Sequence, residues 1–258
     1  MTDLGKSFDA SADDYVRARA TYPESMIDDI VERAGLSPAS RILEVGCGSG
    51  QATLAFAARG YSIVAIDPAE RALAHLSERC RNFPDVHLVH TTLEAFQPGN
   101  AFDLILCAQS FHWLDPQTVG SRFAHLLAPA GRIALFWHMQ DIAPDGPEAD
   151  LYRLNGHFFG DFPRMNPPEY GREFLDAMSN ILCRSDEVGR VRISEYPWRQ
   201  HYDRSMFASL AHSWSKYATL SASDKRRYDN DLADYLDALA GDPEIKYRTC
   251  LIEAEKRQ

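Results

Sequence analysis

The sequence is short of positive charge, of paired cysteines and of long apolar runs. Its 258 residues hold 27 Lys and Arg against 37 Asp and Glu, a formal net charge of -10. No basic stripe follows the chain, which argues against a protein that tracks nucleic-acid phosphates; a small basic pocket stays possible. The five cysteines are Cys47, Cys80, Cys107, Cys183 and Cys250. They form neither a CxxC pair nor a Cys/His cluster at zinc spacing, so no metal is expected. An odd count without a disulfide framework suits a reducing compartment. No apolar stretch has the length of a membrane span. The opening MTDLGKSFDASADDY is acidic and polar, unlike a secretion signal. These shortages predict a cytoplasmic chain that engages neither nucleic acid nor membrane.

What is present is an alternation of strand and helix patterns between residues 41 and 138. RILEVG, YSIVAID, VHLVHT, FDLILCAQ and RIALFWH read as buried strands. GQATLAFAARG, PAERALAHLSERC and PQTVGSRFAHLLAP read as helices between them, the first ended by Gly60 and the second opened by Pro68. Nearly continuous apolar strands separated by helices imply a parallel sheet covered on both faces. A helical arm is expected over roughly Asp9 to Gly35. Beyond residue 138, VRISEYPWRQHYD alternates like a strand and EIKYRTCLIEA is a last strand candidate. Helices are expected between them, about Ser205 to Leu220 and Ala222 to Ala240.

The chemistry concentrates in LEVGCGSGQ, Leu43 to Gln51. Gly46, Gly48 and Gly50 sit at alternate positions between a strand and a helix. Absent Cβ atoms let a backbone lie against a ligand, and a helix start offers unpaired N–H groups. The next strand ends at Asp67, where a carboxylate can accept both hydroxyls of a ribose. Dinucleotides and S-adenosyl compounds both satisfy this pattern. The order is GxGxG, however, not the GxGxxG of dinucleotide sites. Glu44 lies two residues before the turn, where it would repel a pyrophosphate and suit a sulfonium with an α-amino group. Glu44 can also be explained as a salt-bridged strand residue, and Asp67 as a helix cap.

EVGCGSG, Asp67, FDLILCAQSFHWLD and LLAPAGRIALFWH together resemble the class I S-adenosylmethionine (SAM)-dependent methyltransferases, in particular their small-molecule, type 11-like group. The opening FDASADDYVRARATYP is similar to the arm of that group. The resemblance spans most of residues 8 to 138 and is looser from Val191 onward. It implies a Rossmann-like, doubly wound α/β fold with a mostly parallel seven-stranded sheet and an antiparallel last strand. It implies one methyltransferase domain over 1–258: an arm at 1–35, a SAM-binding core at 36–139, a cap insertion at 140–190, and C-terminal strands and helices at 191–258.

Position by position, the resemblance implies that Glu44, Gly46, Cys47, Gly48 and Gly50 line the methionine part of SAM. Asp67 would hold the ribose, with Pro68 beside the adenine. Thr92, Leu93 and Glu94 stand where the family often has an acidic adenine contact; Thr92 in that place is a departure. Gln109 would sit beside the methyl donor. Tyr15 and Arg19 would close over SAM or bind a substrate carboxylate. The implied product is S-adenosylhomocysteine.

The acceptor is expected near the end of the fourth strand, where this fold opens. His112 either takes a proton from the acceptor as a base or bonds a loop; His138 ends the fifth strand at the same edge. Phe111, Trp113 and Phe158 are candidate substrate contacts. The insertion and the C-terminal half are rich in aromatics (Tyr152, His157, Phe159, Phe162, Trp198, His201, Tyr202, Trp214), which suits a planar or cationic small acceptor. NPPEY at 166–170 is similar to a loop of amino-methylating nucleic-acid enzymes, but it lies far from the fourth strand and Glu169 interrupts it; a proline-rich turn is expected. The expected activity is methyl transfer to a small molecule by a monomer or homodimer. A nicotinamide-dependent reductase and a non-catalytic SAM binder are the alternatives.

Overall fold

The computed structural model describes residues 20–140, 147–160, 168–213 and 215–257. Seven strands form one sheet in the order β3-β2-β1-β4-β5-β7-β6. They are β1 (Arg41–Val45), β2 (Ser62–Asp67), β3 (Val86–His90), β4 (Phe102–Ala108), β5 (Leu127–Gln140), β6 (Arg192–His201) and β7 (Glu244–Glu255). The pairs β1–β2, β1–β4, β2–β3 and β4–β5 are parallel, and the last strands run antiparallel. The fold class expected from the sequence is therefore the one observed. The chain reverses its strand order at β1, next to β4. In open α/β sheets ligands bind outside the carboxyl ends of the strands at such a switch point.

Two compact units are distinguishable. One contains Thr21–His138, Arg172–Tyr196 and Thr249–Gln258. Its central strand β1 is buried on both faces: every residue of RILEV after Arg41 is buried. Met26, Ile27 and Ile30, on one stripe of the Glu24–Ala34 helix, join Phe56, Leu76, Leu104 and Phe136 in this core. That helix is closed by Gly35 in the left-handed conformation at φ 59°. Of the helical arm expected over Asp9 to Gly35, the part before residue 20 lies outside the described residues.

The other unit includes Met139–Gly171 and Pro197–Arg248. Here the helix Ala222–Ala238 buries Tyr228, Leu232 and Leu236, spaced four apart on one stripe. Phe159, Tyr202, Phe207, Leu210 and Tyr247 pack with them. Tyr228 donates its hydroxyl to Asn155 Oδ1 at 2.9 Å, so a buried phenol is satisfied. The aromatic richness of this half thus builds a second core: Phe159 and Tyr202 are packing residues, not pocket lining.

Several boundaries differ from expectation. The helix after β4 spans Val119–Leu126, and β5 begins at Leu127, five residues before Arg132. The early start is irregular: Phe102 pairs with Leu127 and Leu104 with Arg132, and Ala130 takes φ 63° between them. Helix periodicity cannot foresee a bulge that depends on a neighbouring strand. The helix expected over Ser205 to Leu220 is two, Arg204–His212 and Ser215–Ala218. The segment at 140–190 contains two helices, Pro147–Phe159 and Pro168–Leu182. Of NPPEY, the last three residues open the second of these helices, where Pro is tolerated because its missing N–H would have no partner, and Asn166 and Pro167 lie outside the described residues. Pro68, expected in a first helical turn, precedes a helix that starts at Glu70. Among the described residues no helix is long and apolar enough to cross a membrane.

Candidate functional site

β1, β2 and β4 end together, and the residues just beyond them form the site. The turn after β1 carries positive φ at all three glycines: Gly46 72°, Gly48 52° and Gly50 86°. The three have different tasks. A Cβ on Gly50 would stand 2.1 Å from Leu76 Cδ1, so this glycine lets the Glu70–Arg79 helix pack against the turn. A Cβ on Gly46 would meet Ser110 Cβ at 2.5 Å, so this one admits the loop after β4. Among the described residues, a Cβ on Gly48 would meet nothing within 4 Å. Two glycines therefore serve the protein's own packing, and only Gly48 turns its bare face to open space.

Hydrogen bonds hold the turn in shape. The Gly46 and Cys47 amides both donate to the Ile66 carbonyl, at 2.8 and 3.2 Å. Gly48 N–H donates to Asp67 Oδ2 at 2.8 Å, while Ala69 N–H donates to Asp67 Oδ1 at 2.8 Å. Asp67 is thus not the cap of the helix that follows, whose N-cap is Ala69; it ties the turn after β1 to the end of β2. A carboxylate has about four acceptor positions, so serving two amides is compatible with a ribose contact. Arg79 Nη1 donates to the Ser49 carbonyl at 2.6 Å and fixes the far side of the turn.

Glu44 lies beneath this turn, 1% exposed, flanked in the sheet by Ala65 and Leu106. Its Oε2 accepts from the Thr53 hydroxyl at 2.5 Å. Burial raises its pKa to about 8; the Thr53 bond opposes this and the Asp67 charge adds to it. Among the described residues no basic partner is bonded to it, and the salt-bridged reading finds no support there. Asp67 places a carboxylate beside the glycine turn, and Glu44 adds a second negative charge when it ionises, as a cationic ligand would favour. Cys47 is buried here, and burial with the same two carboxyls pushes its thiol up, so it is no nucleophile.

The loop after β4 is strained and anchored. Gln109 holds φ 60°, an uncommon conformation for a residue with a side chain, and its amide donates to the Phe136 carbonyl at 2.9 Å. Ser110 donates its hydroxyl to the Val45 carbonyl at 2.5 Å. Sequence reasoning passed over Ser110; its only signal was a small polar residue opposite a glycine.

His112 and Trp113 follow in a short turn, Phe111–Trp113. Phe111 is 2% exposed and packs on Phe123 and Trp137, so its ring belongs to the core and offers no surface to a substrate. Trp113 is 49% exposed, with its ring 4.9 Å from that of His112. Trp137 Nε1 donates to His112 Nδ1 at 3.2 Å. Although part of the His112 side chain reaches the surface, its ring is desolvated against these aromatics and its pKa falls to about 4. The bare nitrogen of the neutral ring faces Trp137, which leaves no bare nitrogen to act as the expected base.

The remaining candidates are more scattered. His138 stacks on Tyr22 at 4.5 Å, and its Nδ1 lies 2.9 Å from the Thr249 hydroxyl, so its ring is held by its own unit. Pro68 is exposed, and its carbonyl bonds the His90 ring at 3.0 Å. Thr92 and Glu94 are exposed and Leu93 is buried. The Thr92 hydroxyl accepts from Ala95 N–H at 3.4 Å, a local turn contact. Phe158 packs edge-on against Tyr228 at 5.3 Å within the second unit's aromatic cluster. Tyr15, Arg19, Phe162 and Trp214 lie outside the described residues.

Comparison with known proteins agrees with this architecture. Residues 42–131, from β1 to the start of β5, match a family model described as a methyltransferase domain. An uncharacterised methyltransferase of Mycobacterium bovis is 34% identical over 139 residues, 54% of this chain and 55% of that protein. The chain spans about half the length of such curated relatives. A candidate type II methyltransferase of Anaeromyxobacter dehalogenans shares the fold at TM-score 0.63 and 21% identity, covering 92% of this chain and 97% of that one. A phosphoethanolamine N-methyltransferase of Haemonchus contortus, solved with phosphomonomethylethanolamine and S-adenosylhomocysteine, shares it at TM-score 0.56 and 16% identity, covering 100% of this chain and 61% of that one.

Proposed function

We propose that this chain, which belongs to the class I SAM-dependent methyltransferases through the domain at residues 42–131, moves a methyl group from SAM to a small-molecule acceptor. The observation that carries the reading is the cradle itself: Gly48 with its open face, bonded to Asp67, above the buried carboxyl of Glu44. Both carboxyls fit a ligand that is cationic at one end and carries a ribose at the other.

Bound SAM supplies a methyl group already activated on a sulfonium. The chain's own residues then need only bind, orient and exclude water. Gly46, Cys47, Gly48 and Gly50 would lie along the methionine part. Asp67 would accept from the ribose hydroxyls, and Pro68, Thr92, Leu93 and Glu94 would lie towards the adenine. Glu44 would take up positive charge beneath the turn. Gln109, held at positive φ, would fix the loop that carries His112 and Trp113 towards the acceptor. Tyr15 and Arg19, outside the described residues, would close over SAM or bind a substrate carboxylate.

A small, planar acceptor is supported by the half-exposed Trp113 side chain beside His112. The Haemonchus enzyme with a small phosphorylated amine shows what this fold can hold elsewhere. In this reading the chain acts on no nucleic acid, as a monomer or homodimer, in the cytoplasm. Calorimetry with SAM and with NADH tests it: SAM binding supports the proposal, and NADH binding in its place supports a reductase.

A further inference from the structure

An indole N–H can donate a hydrogen bond but never accept one. The 3.2 Å contact from Trp137 Nε1 to His112 Nδ1 therefore requires a bare Nδ1. A neutral imidazole then carries its one proton on Nε2. The donor cannot turn away easily, because Trp137 is only 3% exposed and is packed by Phe111 at 6.4 Å and Phe174 at 5.3 Å. Phe174 also stands 6.2 Å from the His112 ring, edge to face. The turn bearing His112 is itself fixed. Ser110, two residues earlier, bonds the Val45 carbonyl and fills the space left by Gly46. Among the described residues His112 has no second hydrogen-bond partner, so none of them takes its Nε2–H.

We propose that His112 recognises the acceptor substrate as a hydrogen-bond donor: Nε2–H, held in that tautomer by Trp137, binds a carboxylate oxygen of the acceptor. His112 is then a substrate-recognition residue and Trp137 a positioning residue. A proton acceptor at this place would need a bare nitrogen facing outward, and the bare nitrogen faces Trp137. The word substrate rests on the methyltransferase reading; the tautomer does not.

Two measurements test the proposal on the full chain without SAM. Two-bond proton–nitrogen spectra of 15N-labelled protein, with His112 assigned by His112→Gln, should show a bare Nδ1 and a protonated Nε2. Trp137→Phe should remove this fixed preference. A protonated Nδ1 in the wild type overturns the proposal. Benzoate and benzylammonium are then titrated as probes. Benzoate should bind preferentially and shift the Nε2 signal. His112→Ala should weaken it by about tenfold, the effect of one lost hydrogen bond, and His112→Gln, whose side-chain amide N–H reaches a similar place, should restore part of that loss. Absent benzoate binding, equal binding of the two probes, or an unaffected His112→Ala variant overturns the substrate assignment. Calorimetry with SAM separates the two readings: absent SAM binding removes the methyltransferase reading and leaves the tautomer result untouched.

Discussion

Gly48 donates its amide to the Asp67 carboxylate at 2.8 Å, joining the turn after β1 to the end of β2. The bond fixes the one glycine of the turn whose missing side chain opens onto space rather than onto the protein. Backbone and carboxylate are therefore arranged together before any ligand arrives, which lowers the ordering cost of binding.

The glycines should separate by substitution. Gly50→Ala forces a Cβ into Leu76 and keeps a left-handed φ, so a loss of about 3 kcal/mol is expected from overpacking and strain together. Gly48→Ala meets only the conformational cost, about 1–2 kcal/mol. Urea unfolding measures both. SAM affinity should nevertheless fall in Gly48→Ala, because the new methyl occupies the open face.

Glu44 makes the ligand-free protein sensitive to alkali. Its folded pKa is raised to about 8 from the ordinary 4.5, so the folded state holds the proton more tightly. The stabilisation is complete below about pH 4.5 and disappears as pH rises through 8. Unfolding free energy should fall across that window by an amount on the order of a few kcal/mol. Glu44→Gln should flatten the decline, and saturating SAM should flatten it too by favouring the charged carboxylate. An unchanged slope in Glu44→Gln contradicts this assignment.

His112 acts in the opposite direction. Its folded pKa is depressed to about 4 from 6.5 by desolvation. Its contribution is present above pH 6.5 and is lost as pH falls through 4, since only the unfolded chain is readily protonated there. His112→Gln should show a shallower acid slope between pH 6.5 and 4 in thermal melts.

Ser110→Ala removes the buried bond to the Val45 carbonyl and should cost about 1–3 kcal/mol. The same change should lower turnover more than SAM affinity, because Ser110 anchors the loop bearing His112 rather than the ribose contact. Comparing SAM calorimetry with steady-state rates distinguishes the two effects.

The sheet and its switch point were legible because parallel strands buried on both faces leave continuous apolar runs, as in RILEV and SIVAID. The glycine turn was legible through residue type, since three positive-φ positions need three residues without Cβ atoms. What each glycine faces was not legible: Leu76 and Ser110 lie 26 and 64 residues beyond their glycines, Gly50 and Gly46. The tautomer of His112 was equally hidden, because Trp137 reaches it only through the pairing of β4 with β5. Aromatic content misled in the second half, where Phe159, Tyr202 and Tyr228 make a core; composition does not distinguish a packed ring from a lining one.

The central claim is that the cradle between Glu44 and Asp67 holds SAM. Calorimetric titration of the purified chain with SAM and with NADH, in wild type and Asp67→Asn, tests it most directly. The account predicts SAM binding without NADH binding, weakened about tenfold or more in Asp67→Asn by loss of a charged hydrogen-bond acceptor. NADH binding without SAM binding, or SAM binding indifferent to Asp67→Asn, contradicts it.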